Sequence, residues 1–344
     1  MPEQPPAVSL NFMPAFYRRH IGARYGEAYF FDPAHRAAVQ CAEERFLHET
    51  LGRYGVGSPR PEPIPSLFIQ PIELVMRTQG AEWRFPEDGG LESWGTPWRN
   101  MSVAEIARIE AADAAHHPVI NALLDQYRAL ERRYGERADL FGLKAGLLNV
   151  HTPYTTAHQL RGEELFVELL SDDGDAAVIL NKVWEIYRAI FDRLSDALRA
   201  RPTHLHLGDC SASMLSPDVY LRSVLPVNRR IAAGFPVVSY HSCGPSSHLL
   251  SAFQQLPHLE HIELGPGTDI AAAVRDLPAT PVHPLVDPVL MRERNPDEVR
   301  MVIAGALSAL APAPAATLCL WSLDRDTPLE NVEAVYETVQ GVRP

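Results

Sequence analysis

The chain has 344 residues, 46% of them hydrophobic and 22% charged, with a formal net charge of −12. That length accommodates two average domains or one large α/β barrel, and the acidic balance argues against nucleic acid or an anionic membrane surface as a partner. Four cysteines without a disulfide-like array, and a start (Met1-Pro-Glu-Gln-Pro-Pro) that lacks the basic and apolar regions of a secretory signal, lead us to expect a cytoplasmic protein.

Taken in order, residues 8–13 read as a first strand ending at Pro14. From Pro33 to about Tyr54 apolar residues recur at helical spacing, with Cys41 as a packing residue. Ser58-Pro-Arg-Pro-Glu-Pro-Ile-Pro is a stiff connection into a strand at 66–70. Residues 80–100 hold Trp83, Trp94 and Trp98 among many Gly and Pro, the pattern of an insertion or lid near a mouth. Ser102 and Glu105 have capping-box spacing, and a long helix is expected at 118–134. Residues 140–148 read as a buried strand, and 158–170 and 176–199 as helices. Further strands are expected at 203–208, 236–240, 259–264, 280–286 and 316–321. The uncharged run Met301–Leu323 is split by Pro312 and Pro314, so it reads as helix, loop and strand rather than a membrane span.

Eight near-continuous apolar strands alternating with helices predict an α/β protein, a closed (β/α)8 TIM barrel forming a single domain over 1–344, with an N-terminal extension and the 80–100 insertion. In such a barrel the site is built from strand C-termini. Here those ends carry Asn149, Asp209-Cys210, His241-Ser-Cys243, Glu263, Asp287 and Cys319. His241-x-Cys243, Glu263 after nineteen intervening residues, and Cys319 after fifty-five more supply the N, S and O donors that zinc favours in a tetrahedron. Taken alone, His241 and Cys243 read as a satisfied core histidine and an inert buried thiol; their convergence with two other strand ends favours a metal. Glu263 is read either as a ligand or as the group orienting His241. Cys210 is read as an alternative ligand or as lining for the mouth. Asp209 is read as a general base, a substrate contact or a structural acceptor. Asn149 and Glu73 are candidate substrate or cofactor contacts. His116, His117, His151, His204, His206 and His258 show no ligand spacing, and we expect them at the surface or satisfied inside.

A zinc held by thiolates lowers the pKa of a bound thiol, making a nucleophile at neutral pH. The chain resembles the uroporphyrinogen decarboxylase superfamily, and within it the zinc-dependent methyltransferases that act on methylated corrinoid proteins, such as the methylcobalamin:coenzyme M methyltransferases. The stretches that carry this are Gly208-Asp-Cys-Ser-Ala-Ser-Met-Leu-Ser-Pro217 with Val224-Leu-Pro226, Tyr240-His-Ser-Cys-Gly244, and Cys319 with Thr327-Pro-Leu-Glu-Asn331. The resemblance implies the barrel, and zinc on His241, Cys243 and Cys319. The spacing is also similar to the catalytic half of cobalamin-independent methionine synthase, which suggests Glu263 as a ligand. True decarboxylases match less well. Their N-terminal Arg-Gln-Ala-Gly-Arg motif is replaced by Phe16-Tyr-Arg-Arg-His-Ile-Gly-Ala-Arg24, and their second-strand Asp by Phe68-Ile-Gln-Pro71.

The expected activity is therefore methyl transfer between a methylcobalamin-bearing corrinoid protein and a thiol or related acceptor, by a monomer or homodimer. The alternatives are decarboxylation of a tetrapyrrole carboxylate gripped by Arg18, Arg19 and Arg24, and a non-catalytic corrinoid- or tetrapyrrole-binding barrel with structural zinc.

Overall fold

A computed structural model describes residues 6–171, 174–313 and 315–341. Pro314, one of the two prolines expected to break the 301–323 run, lies outside these residues, as does the start of the chain through Pro5. The strands are β1 (Ala7–Phe12), β2 (Ser66–Leu67), β3 (Glu82–Arg84), β4 (Glu92–Trp94), β5 (Asp139–Leu140), β6 (Leu147–His151), β7 (His204–Gly208), β8 (Val237–Ser242), β9 (Leu259–Leu264), β10 (Val282–Pro284) and β11 (Thr317–Leu323).

The wall of the molecule is a parallel arc in the order β6-β7-β8-β9-β10, continued by β11 and β1. A single bridge between Leu285 and Cys319 joins the two parts. β2 pairs in parallel with β5. Gln70, just past β2, lines the same central cavity as residues of β6–β9 and β11. This is the expected barrel plan with one wall strand cut to two residues. Among the described residues no ladder joins β2 to β1 or to β6.

The expected strand at 140–148 is broken. Phe141, Gly142 and Gly146 have φ of 59°, 78° and 85°, a left-handed backbone that no strand holds. The chain turns there, and β5 and β6 become separate strands. The helix expected at 158–170 is also two, Pro153–Arg161 and Glu164–Leu170, parted at Gly162 with φ 75°. The 80–100 segment is not wholly irregular: β3 and β4 form an antiparallel hairpin. Trp98 is buried, with its backbone N–H on the Leu160 carbonyl, and none of residues 80–100 lines the central cavity. The Ser102–Glu105 capping box forms at the start of Val103–Ala107. The run beginning at Met301 becomes the helix Pro296–Leu310 and then β11. No described helix is long and apolar enough to cross a membrane.

Alternation along each strand decides what faces where. Leu205, Leu207, Val238, Tyr240, Ile262, Leu264, Leu318 and Leu320 point out of the barrel and are at most 2% exposed. They pack under helices such as Asp175–Leu198, whose buried Ile179, Leu180, Val183, Ile186, Ile190 and Leu194 form one stripe. Each such side chain contributes roughly 1.5–3 kcal/mol by leaving water, so the main apolar core lies between the sheet and its helices.

The inner face is different. Barrel interiors are usually filled by branched aliphatic residues. Here they hold Asn149 and His151 of β6, His204 and His206 of β7, Ser239 and His241 of β8, and His261 and Glu263 of β9. These residues border a cavity of about 660 Å³.

Candidate metal centre at the barrel mouth

The site is set by how β7, β8 and β9 end. The Asp209 N–H donates to the His241 carbonyl at 2.7 Å, and the Gly265 N–H to the Ser242 carbonyl at 2.7 Å. These bonds carry the ladder past the strands and fix Cys210 beside Cys243. Gly265 is required for this approach, because a Cβ there would stand 1.9 Å from the Cys243 carbonyl oxygen. We therefore expect Gly265→Ala to push the Cys243 backbone outward and weaken metal binding by at least ~10-fold, the scale of other lost supports around metal ligands. Competition with a chromophoric chelator measures this; unchanged affinity would show that Cys243 is not held by this contact.

The sulfur atoms of Cys210 and Cys243 are 2.9 Å apart, and His241 Nε2 is 2.8 Å from Cys243 Sγ. All three donor atoms lie within 4.8 Å of one another. Cys243 is exposed at the mouth. The Cys210 thiol, and then His241, hold Cys243 well below the ordinary thiol range. The Cys210 pKa is raised through its bond to Cys243 and through burial. Burial alone would lower His241, but its bonds to Cys243 and Glu263 raise it to about 9.

Glu263 stands on the opposite ring nitrogen, with Oε2 2.9 Å from His241 Nδ1. Burial would raise its carboxyl, but the His241 and His261 imidazoles hold it down to about 2. A carboxylate on one nitrogen of a ligating histidine fixes the tautomer that presents the other nitrogen to a metal. Trp321 stacks against His241 with ring centroids 5.9 Å apart, and its indole N–H donates to Ser9 Oγ at 2.9 Å. Burial holds His151 and His206 at about 4, so both are neutral at ordinary pH.

The remaining sequence candidates take different places. Asn149 lines the cavity. Cys319 is buried in β11, opposite Ser9. It is not in the Cys210–His241–Cys243 group, and burial, then Glu263, pushes its thiol up to about 12. Asp209 lies in the wall and is fully buried. Oδ1 accepts from Thr152 and Thr155, and Oδ2 from Tyr220, Tyr240 and Asn228. Burial raises its carboxyl, and these donors offset that only in part. Glu73 bonds to Ser93 in the hairpin and does not line the cavity. Arg18 and Arg19 pair with Glu87 and Asp326 and border a separate pocket.

Cys210, read from the sequence as an alternative ligand or mouth lining, joins His241 and Cys243 because β7 and β8 are paired neighbours. The histidines of the inner face were missed by sequence reasoning. The inner histidines had a signal in the alternation His204-x-His206 and His261-x-Glu263, the period of a strand with one polar face.

The donor set fits zinc. A tetrahedral ion with bonds of about 2.0 Å to nitrogen and 2.3 Å to sulfur places its donors roughly 3.5–3.8 Å apart. The Cys243 sulfur needs to move less than ~1 Å away from Cys210 Sγ and from His241 Nε2 to reach that spacing. The three residues supply two thiolates and an imidazole whose second nitrogen is already occupied.

Comparison with known proteins agrees with this architecture. A methyltransferase from Methanosarcina mazei superposes with a TM-score of 0.63 over 98% of this chain and 94% of that one, at 16% identity, which reflects a shared fold. A Novosphingobium aromaticivorans protein described as uroporphyrinogen decarboxylase is 29% identical over 164 residues, which are 45% of this chain and 47% of that protein. The matched part thus spans about half the length of that curated relative. Residues 71–342 match the family described as Uroporphyrinogen decarboxylase (URO-D). That span takes in the wall strands from β5 onward, the mouth and the C-terminal helix Leu329–Gln340, and the chain belongs to the uroporphyrinogen decarboxylase family.

Proposed function

We propose that this chain is a zinc-dependent methyltransferase that moves a methyl group between a methylated corrinoid protein and a thiol or related acceptor. The observation that carries the reading is the donor set. Three protein ligands, Cys210, His241 and Cys243, meet at the mouth of a cavity, which leaves a fourth position for a substrate. That is the arrangement of catalytic rather than structural zinc. When bound, zinc would lower the pKa of the acceptor thiol and hold it as a thiolate.

The protein's own part is positional. Glu263 and Trp321 hold the His241 ring from one nitrogen and one face. Cys243 brings its sulfur to the open side of the mouth, where a bulky methyl carrier can approach in line. Holding the acceptor sulfur at this point makes the transfer effectively unimolecular. In this reading Cys210 is the third ligand, Glu263 supports His241 without ligating this ion, and Asp209 is structural.

Decarboxylation of a tetrapyrrole acid draws less support. Among the described residues, the cavity lining includes neither Lys nor Arg, so a polycarboxylate would meet no ammonium or guanidinium there. The test is consumption of methylcobalamin, used as a stand-in for the corrinoid protein, by zinc-loaded enzyme with a panel of thiols. Thiol-dependent demethylation is expected. Zinc-loaded, folded protein that leaves methylcobalamin intact with every thiol, while releasing CO2 from a tetrapyrrole acid, would overturn the reading.

A further inference from the structure

One layer below the mouth, the barrel holds a second cluster of ligating groups. β10 lies beside β9 with His283 in register with Glu263, and His261 precedes Glu263 by two residues on the same face. Donor atoms of His261, Glu263 and His283 all lie within 4.8 Å of one another. His261 Nε2 is 3.7 Å from Glu263 Oε1. The His261 and His283 rings are stacked, with centroids 4.6 Å apart and planes 20° from parallel. His261 and Glu263 line the central cavity, which gives an ion a way in.

The two oxygens of Glu263 face different groups. Oε2 is on His241 Nδ1 at 2.9 Å and 3.9 Å from His206 Nε2, while Oε1 is turned to His261. One carboxylate thus stands between the mouth triad and the lower cluster.

We propose that His261, Glu263 and His283 form a second metal site, for a divalent transition ion of intermediate softness, with Glu263 shared between it and the mouth. Two imidazoles and one carboxylate suit zinc, iron(II), cobalt(II) or nickel(II). They do not suit calcium or magnesium, which take oxygen ligands. The sites differ in kind: only the mouth has thiolates. An ion in the lower site draws on the same carboxylate that orients His241, so its occupancy tunes how firmly that ring is presented above. The lower site stands whether or not the chain transfers methyl groups.

The test is titration of the metal-stripped, full-length protein with cobalt(II) alone. Total bound cobalt is counted by equilibrium dialysis. The ultraviolet thiolate-to-cobalt charge-transfer band reports the mouth, since the lower site has no sulfur. Wild type is expected to bind two cobalt ions per chain. His283→Gln should keep the band and lose one ion. Cys243→Ser should lose the band and keep one ion. His261→Gln gives the same reading as His283→Gln if that variant does not fold. Wild type saturating at one ion with the band fully developed, or both histidine variants binding as much cobalt as wild type, would overturn the lower site. Wild type that binds one ion without the band would instead remove the mouth site and leave the lower one standing.

Discussion

Cys243→Ser and Cys210→Ser are each expected to strip zinc from the mouth, whereas Cys319→Ser is expected to leave it in place. The geometry gives this order. Cys243 Sγ lies against both Cys210 Sγ and His241 Nε2, while Cys319 is outside the group. Structural zinc sites are worth about 10–16 kcal/mol in total. One ligand of four is then on the order of 3 kcal/mol, or ~100-fold in affinity. The measurement is zinc per folded chain after dialysis against a weak chelator, with His261 and His283 replaced by Gln so that the lower cluster contributes nothing. Loss of zinc in Cys319→Ser with retention in Cys210→Ser would replace this ligand set by the one that the family resemblance implies.

Asp209→Ala is expected to cost about 3–5 kcal/mol of folding stability, the usual toll for breaking a buried charged network by removing one partner. Four hydroxyls and the Asn228 amide donate toward one fully buried carboxylate. Those hydroxyls come from the turn after β6, the helix that starts there, the helical segment at Tyr220 and strand β8. Without the acceptor, several donors are left dry. Against a typical total of about 5–15 kcal/mol this is a large fraction. Urea unfolding with an unchanged slope measures it. Tyr240→Phe, which removes one donor and leaves the rest, should cost about 1–3 kcal/mol. If Asp209 were a catalytic acid or base, Asp209→Asn would abolish turnover at unchanged stability. We expect instead that stability falls and that the surviving folded fraction keeps its activity.

Much of this was legible in the sequence because strand ends were. His241-x-Cys243, Glu263 and Asn149 were placed at a mouth by apolar runs that stop at polar residues, and the structure sets all four on the cavity. What the sequence hid was sideways proximity. Cys210 neighbours Cys243 only because β7 pairs with β8, a relation that chain order suggests and register decides. Asp209 shares the same strand end, yet its side chain turns into the wall, where Tyr220, Tyr240 and Asn228 meet it. Nothing local to Gly208-Asp-Cys announces that choice. The break at 140–148 was written in Gly142 and Gly146, since glycines inside a strand pattern mark bends, but the apolar run around them outweighed that signal.

A wall that is apolar outside and studded with imidazoles inside separates two evolutionary pressures. The residues that keep the fold point toward the helices; those that face the lumen touch the cavity and each other. Exchanging one inner donor for another should change the chemistry of the tube far more than its foldedness. A barrel built this way is a tolerant host: its lumen can be rewritten one donor at a time, in nature or at the bench, while the outer shell goes on folding as before.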